Sequence, residues 1–334
     1  MPCCNKHSTS DSPLNKANKM KCEHCGEDGS AKFGKDRKGQ QRFRCKCCGK
    51  TFVEPHALAG RQTSMDDTVK VLSMLLEGMS IRSCERLTGM HRDTIMSLMV
   101  EAGENCRRFM EMMIHDVPAQ FVECDEQWAF IFCKRKTAER LGKGPDCGDR
   151  YVYTAIDRDS KLLMCWHAGQ RDMDNTLDFV EKLRGAVSGR PSISTDGFTQ
   201  YAPAIVSAFH SNVDYGQCIK HFQNTGDAAQ RYSPGSISSI ERKVICGSVR
   251  DSEIGTSRME RFNLTTRMQV RRFTRLTNAY SKKTRNHDAM LGLYFAWYNW
   301  CRFHSTIKTT PAVCAGLATE RWTLATLLTA AAKM

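Results

Sequence analysis

Three acidic residues stand in three chemically different settings, and a fold that uses all of them has few ways to arrange itself. Asp125 lies in Phe121-Val122-Glu123-Cys124-Asp125-Glu126-Gln127-Trp128, Asp196 follows Ile193-Ser194-Thr195 and precedes Gly197, and Glu260 opens Ser257-Arg258-Met259-Glu260-Arg261-Phe262-Asn263. The first two settings are short apolar runs bounded by turn residues and read as strands; the third begins a long helical stretch. Alternation points Asp125 away from the core, and were it buried unpaired the cost would be large, a cost that a metal removes. Carboxylates gathered from two strands and a helix can hold two divalent ions, and hard oxygen ligands suit Mg or Mn. Two ions so held clamp the attacking and leaving oxygens of a phosphoryl transfer.

Charge names the class of substrate. The chain carries a formal net charge of +13 over 334 residues, which favours a polyanionic partner, nucleic acid first. No apolar run approaches the roughly 18 residues of a membrane span, so no membrane association is expected. The start, Met1-Pro2-Cys3-Cys4, has no hydrophobic signal segment, and 17 cysteines fit a reducing compartment, so a bacterial or archaeal cytoplasm is the expected location.

Residues 1–20 are polar and aperiodic and read as a disordered tail whose Cys3 and Cys4 are free thiols. Residues 21–54 read as a zinc ribbon. Cys22-x-x-Cys25 and Cys45-x-x-Cys48, with nineteen residues between the pairs, have the spacing of a four-thiolate zinc site, leaving Cys47 out. Such a site has no open position, so its single zinc is structural, and a segment this short needs the folding energy that the metal supplies. Arg42 and Arg44 sit in a basic hairpin between the pairs and are candidate DNA contacts.

Residues 62–117 read as a helix-turn-helix with a connector helix. Val69, Leu72, Met74, Leu75 and Leu76 suit a first helix stopped by Gly78; Ser80 caps a second that stops at Gly89; a third starts near His91. Arg92 and Thr94 at the start of the third helix, with Arg82 on the second, are candidate DNA contacts, because that end of a recognition helix reads base edges. Residues 104–117 form a connector ended by Pro118, its methionines serving packing.

Residues 118–317 read as the main domain, with a C-terminal helix or tail at 318–334. The order is three strands, a helix, a strand, a helix, a strand and a helix, which is that of a ribonuclease-H-like α/β (α+β) core, with the acids at strand ends as α/β folds place them. Residues 134–149 read as a basic loop. Glu260 competes with Glu241, Asp251 and Glu253, but it alone opens a helix, with Asn263, Arg267 and Arg271 at spacings of three, seven and eleven. Arg271, Arg272, Arg275, Lys282 and Lys283 continue the basic run and are candidate phosphate contacts. The aromatic segment 294–300 reads as core, Trp128 as core or as a platform for a displaced base, and His304 as a core hydrogen-bonding group or a phosphate contact.

Asp125-Glu126-Gln127-Trp128, Thr195-Asp196-Gly197 and Glu260-Arg261-Phe262-Asn263-Leu264 resemble the transposases of the insertion-sequence-one family, as does the run Arg272-Phe273-Thr274-Arg275-Leu276-Thr277-Asn278-Ala279-Tyr280-Ser281-Lys282-Lys283. Tyr298-Asn299, Arg302, His304 and Thr310-Pro311 resemble a C-terminal pattern of DDE transposases and integrases. The resemblance covers residues 20–317. It implies a recombinase that binds terminal inverted repeats, nicks element ends and joins 3′-hydroxyls to target DNA, with Asp125, Asp196 and Glu260 holding two Mg or Mn ions and Arg267 as the basic residue seven after the glutamate. Two ends must be held together, so at least a dimer is expected. The long interval from Asp196 to Glu260 implies an insertion at about 220–255. Two other functions fit the same residues: a DNA-binding regulator with an inactive core, and a nuclease that cuts without joining.

Overall fold

The computed structural model describes residues 21–22, 24–36, 41–53, 63–222, 237–274 and 277–334. The tail with Cys3 and Cys4, much of the insertion, and Arg275 lie outside the described residues. The chain divides into two compact units, 1–62 and 63–334.

In the first unit β1 (Ser30–Lys35), β2 (Gln41–Cys45) and β3 (Thr51–Val53) form an antiparallel sheet in that order. Alternation along β2 buries Phe43 and Cys45 and turns Arg44 outward. The buried cluster consists of Phe43, Phe52, Cys22 and Cys45. Two rings and two cysteines are too little apolar surface to hold a sheet unaided.

The second unit opens with α1 (Met65–Leu76), α2 (Ile81–Thr88) and α3 (Arg92–Met113). Ser64 and Ser80 cap the first two through their side chains, and Gly89, at φ 71°, ends the second. The buried stripe of α1 includes Val71 where the sequence suggested Val69 and Met74. The expected connector is not a separate helix: α3 runs unbroken for 22 residues, because nothing between Arg92 and Met113 interrupts it.

That continuity ties the helical segment to the core. Helix α3 crosses α8 (Thr284–Trp300) so closely that a Cβ on Gly103 would lie 1.8 Å from the Ala289 carbonyl oxygen, and one on Gly292 2.5 Å from that of Gly103. Farther along, Phe109 meets Trp300 edge-on at 4.9 Å. The aromatic segment of α8 is core, with Tyr294, Phe295, Tyr298 and Trp300 all buried.

Six strands make the central mixed sheet. Between the α3 end and that sheet, β4 (Val117–Pro118) pairs with β8 (Val187–Ser188). The sheet is built from β5 (Phe121–Ile131), β6 (Gly148–Asp157), β7 (Leu163–Gly169), β9 (Ser192–Thr195), β10 (Asp214–Phe222) and β11 (Ile237–Cys246), in the order β11-β10-β9-β5-β6-β7. β5, β9 and β10 run parallel, while β6, β7 and β11 run antiparallel to their neighbours. Residues 134–149, read from sequence as a loop, contain the short helix α4 (Arg135–Arg140). Helices α5 (Met173–Ala186) and α6 (Tyr201–Phe209) lie between the parallel strands in sequence and supply the crossovers that parallel pairing needs. α7 (Ser257–Gln269) carries Glu260, and α9 (Pro311–Cys314) and α10 (Leu324–Ala331) close the chain. Strand and helix order match the ribonuclease-H-like expectation. Among the described residues of the expected insertion, β11 lies at the edge of the sheet beside β10.

Candidate active site

The sheet's middle strand is buried from both sides, and its neighbouring residues 125 and 126 reach opposite faces by alternation. Asp125 faces α7: its Oδ2 accepts from Asn263 Nδ2 at 2.7 Å, and its Oδ1 from the Glu126 amide at 2.8 Å. Glu126 faces α6: its Oε2 accepts from the Tyr201 hydroxyl at 3.1 Å. Asp196 sits just past the end of the adjacent parallel strand β9, its Oδ1 accepting from the Phe198 amide at 2.9 Å. Carboxylate oxygens of Asp125, Glu126 and Asp196 lie within 4.8 Å of one another. Burial, then the negative charges of Glu126 and Asp196, push the Asp125 carboxyl up to about 7; Glu126 is raised by burial, then by Asp196. A site that penalises its own anions in this way favours a cation among them.

Strand β5 also seats the helix that bears Glu260. Glu123, 1% exposed, accepts at Oε2 from the Arg258 and Met259 amides at 2.8 and 2.9 Å, and at Oε1 from Arg158 Nε at 3.2 Å. A carboxylate there satisfies two of the amides that a helix leaves unpaired in its first turn. One turn on, Asn263 bridges Asp125 to Gln127, whose Nε2 donates to Asn263 Oδ1 at 2.6 Å. Every other residue of β5 from 123 to 127 therefore grips α7. Sequence reasoning missed Glu123, since its partners lie 135 and 136 residues away. Its one signal was an acid flanked by the apolar Val122 and Cys124.

Glu260 lines the cleft shared with Asp125 and Asp196, a cavity of ≈ 590 Å³, but stands outside the tight trio. Its carboxylate is paired with Lys220 on β10 and accepts from Thr256 Oγ1 at 3.0 Å. Its rivals lie elsewhere: Glu241 faces His221 at 3.3 Å on the edge strand, and Glu253 is paired with Arg250. Arg267 is close enough that its charge draws the Asp125 carboxyl down against the other influences. The donor set of Asp125, Asp196 and Glu260, all oxygen and open to the cleft, fits divalent Mg or Mn.

Arg271 is not on the Glu260 helix as the spacing of eleven predicted, because α7 stops at Gln269 and Arg271 starts a separate short turn. It lines instead a second cleft of ≈ 790 Å³ between α1–α2 and residues 271–290, together with Arg82, Lys282 and Lys283, and among the described residues no carboxylate lines that cleft. Arg272 is corrected as a surface cation. Its Nε donates to Ser281 Oγ at 2.6 Å and its Nη2 approaches Met99 Sδ at 3.3 Å, and burial lowers its pKa to about 10. Arg92 is exposed and Thr94 half-exposed at the start of α3. Trp128 is 41% exposed, with Lys134 Nζ 5.5 Å over its ring. Burial holds His304 down near 4, so it is neutral at physiological pH and offers no charge to a phosphate.

In the first unit the Sγ atoms of Cys22, Cys25, Cys45 and Cys48 all lie within 4.8 Å of one another, and Cys47 is not among them. The Cys48 amide, then the Cys47 amide, donate to Cys45 Sγ and lower that thiol to about 6. A ready thiolate among four converging sulfurs fits a tetrahedral zinc. Arg42 and Arg44 flank the Phe33 ring at 5.7 and 5.4 Å.

Residues 147–230 match the family model described as a DDE domain, that of the IS240 transposases. No curated protein matches the chain. Among solved structures, the chain is similar to the piggyBac transposase in its synaptic complex with hairpin DNA, at 11% identity and a TM-score of 0.37, over 84% of this chain and 73% of that one. The matched segment, which includes Asp196, is thus a DDE transposase domain, a polynucleotidyl transferase domain with a ribonuclease-H-like core; the insertion-sequence-one family is not the one matched.

Proposed function

We propose that this chain moves a DNA element by nicking its ends and joining the freed 3′-hydroxyls to target DNA, with Asp125, Asp196 and Glu260 as ligands of two Mg or Mn ions. The observation that carries the reading is the convergence of Asp125 and Asp196 from adjacent parallel strands into one cleft with Glu260. Bound there, two divalent ions supply Lewis acidity to the attacking and leaving oxygens. The protein holds the ligands: Glu123 seats α7, Asn263 fixes Asp125, and the Phe198 amide fixes Asp196. Glu260 would hold a metal through Oε2, since Lys220 and Thr256 both meet Oε1, and the Lys220 ammonium lines the same cleft as a charge for a phosphate. Arg267 contributes a further positive charge near the reacting strand.

DNA is the partner. Arg92 and Thr94 at the head of α3, in a helix-turn-helix reading of α1 to α3, meet the terminal repeats. Arg82, Arg271, Lys282 and Lys283 hold phosphates in the acid-free cleft. In the first unit Arg42 and Arg44 add backbone contacts on a ribbon held by one structural zinc. Contacts of this kind position DNA more than they specify it. Two ends require at least a dimer, and the insertion-sequence-one pattern, with its bacterial or archaeal cytoplasmic setting, remains our finer assignment.

The test uses purified protein, Mg and labelled DNA carrying the element's ends. Nicked and then joined product, with no protein covalently attached to DNA, supports the reading. Nicking without joining would make the protein a nuclease, and end binding without nicking a regulator.

A further inference from the structure

Glu126 is the acid closest to Asp125 and Asp196 that the proposed function leaves without a role. Its carboxylate is already spent on protein. The side chain is 4% exposed, Oε2 accepts from the Tyr201 hydroxyl, and Oε1 accepts from Arg171, with Nε and Nη2 each at 2.5 Å. Oε1 takes two donors from a cation, whereas each Asp125 oxygen takes one neutral donor, so a metal at Glu126 would have to compete with a bound guanidinium.

The arginine it holds is placed for substrate. Arg171 lies just before α5 and projects into the same cleft as Asp125, Asp196 and Glu260. Its guanidinium lies over the Phe198 ring at 4.0 Å, and Nη2 is 3.9 Å from Asp196 Oδ2. Stacking and a two-point grip fix a side chain that would otherwise sample many rotamers. A guanidinium carries five N–H donors, more than one carboxylate accepts, and its planar fork matches a phosphate as a lysine does not.

We propose that Arg171 is a catalytic residue that binds the non-bridging oxygens of the scissile phosphate, and that Glu126 is its positioning residue and not a metal ligand. The proposal rests on the reading of the cleft as the site of DNA cutting. It also explains why three acids crowd together while Glu260 stands apart: two of the three serve metal, and the third orients the cation that meets the phosphate. Because the guanidinium already neighbours Asp196, its loss opens that carboxylate to metal.

The test measures Mn²⁺ binding by calorimetry and Mg-dependent nicking kinetics on full-length wild type, Arg171→Met, Arg171→Lys, Glu126→Gln and Glu260→Gln, with thermal melting of each. Arg171→Met is expected to bind Mn²⁺ at least as well as wild type while kcat for nicking falls on the order of 10²-fold, the scale seen when one fixed donor to a developing charge is removed. Arg171→Lys should recover little of it, and Glu126→Gln should follow Arg171→Met with Mn²⁺ binding retained, whereas Glu260→Gln should lose Mn²⁺. Loss of Mn²⁺ binding in a folded Glu126→Gln would make Glu126 a ligand and overturn the proposal. So would an unchanged kcat in Arg171→Met. A wild type that binds Mn²⁺ but does not nick DNA would overturn the cleft's assigned reaction, and this proposal with it.

Discussion

The Glu123 carboxylate caps the amide of Met259 at 2.9 Å, two residues before Asp125 on the strand and one residue before Glu260 on the helix. A single buried acid thus sets the distance between two proposed metal ligands that are 135 residues apart in sequence. Glu123→Ala leaves Arg158 without its carboxylate and two helix amides without an acceptor. We expect a loss of about 3–5 kcal/mol, the range for breaking a buried charge pair from one side. Urea unfolding measures it, and Mn²⁺ affinity should fall in the fraction that stays folded.

Asn263 offers a gentler version of the same test. Asn263→Ala removes the donor to Asp125 and the acceptor from Gln127. Loss of an outer partner of a metal ligand typically lowers metal affinity about 10–100-fold. Calorimetry with Mn²⁺ should show a drop of that size; unchanged affinity would mean that Asp125 needs no orienting group.

Two helical glycines should respond to alanine with opposite signs. At Gly103 an added Cβ meets the Ala289 carbonyl oxygen at 1.8 Å, so α3 and α8 must separate, at a cost of about 1–3 kcal/mol or more. The helix propensity gained, about 1 kcal/mol, does not offset that. At Gly185 in α5 nothing lies within 4 Å, and alanine should stabilise by about 0.5–1 kcal/mol. Denaturant midpoints of the two variants decide the matter.

The four-sulfur cluster predicts a clean division among the cysteines. One zinc per chain should be found by metal analysis. Cys48→Ser should lose it and Cys47→Ser should keep it, since only the former's sulfur belongs to the cluster. Because a four-thiolate metal supplies the folding energy of so small a unit, chelation should unfold residues 21–53 and leave the melting of the unit beginning at Thr63 in place.

What could be read in the sequence was whatever local pattern determines. Alternation gave the face of Asp125 in mid-strand and a following glycine marked Asp196 at a strand end, while the two Cys-x-x-Cys pairs were legible because their spacing is itself the geometry. The caps at Ser80 and Gly89 were legible for the same reason. Illegible were the partners that the fold brings from afar. The role of Glu123 depends on α7, that of Glu126 on Arg171 and Tyr201, and the Gly103–Gly292 crossing on two helices far apart in the chain. Helix α7 was drawn too long because basic residues continue past Gln269 without a glycine or proline to stop it. Arg272 resembled its exposed neighbours, since nothing in a run of cations tells which one turns inward.

The most direct test measures ion binding and DNA nicking on the same samples of wild type and Asp125→Asn. Wild type should bind Mn²⁺ and nick DNA only with Mg or Mn present, and Asp125→Asn should remain folded but lose both. Nicking by wild type with all divalent ions chelated, or by Asp125→Asn at the wild-type rate, would contradict a metal-dependent reaction at Asp125.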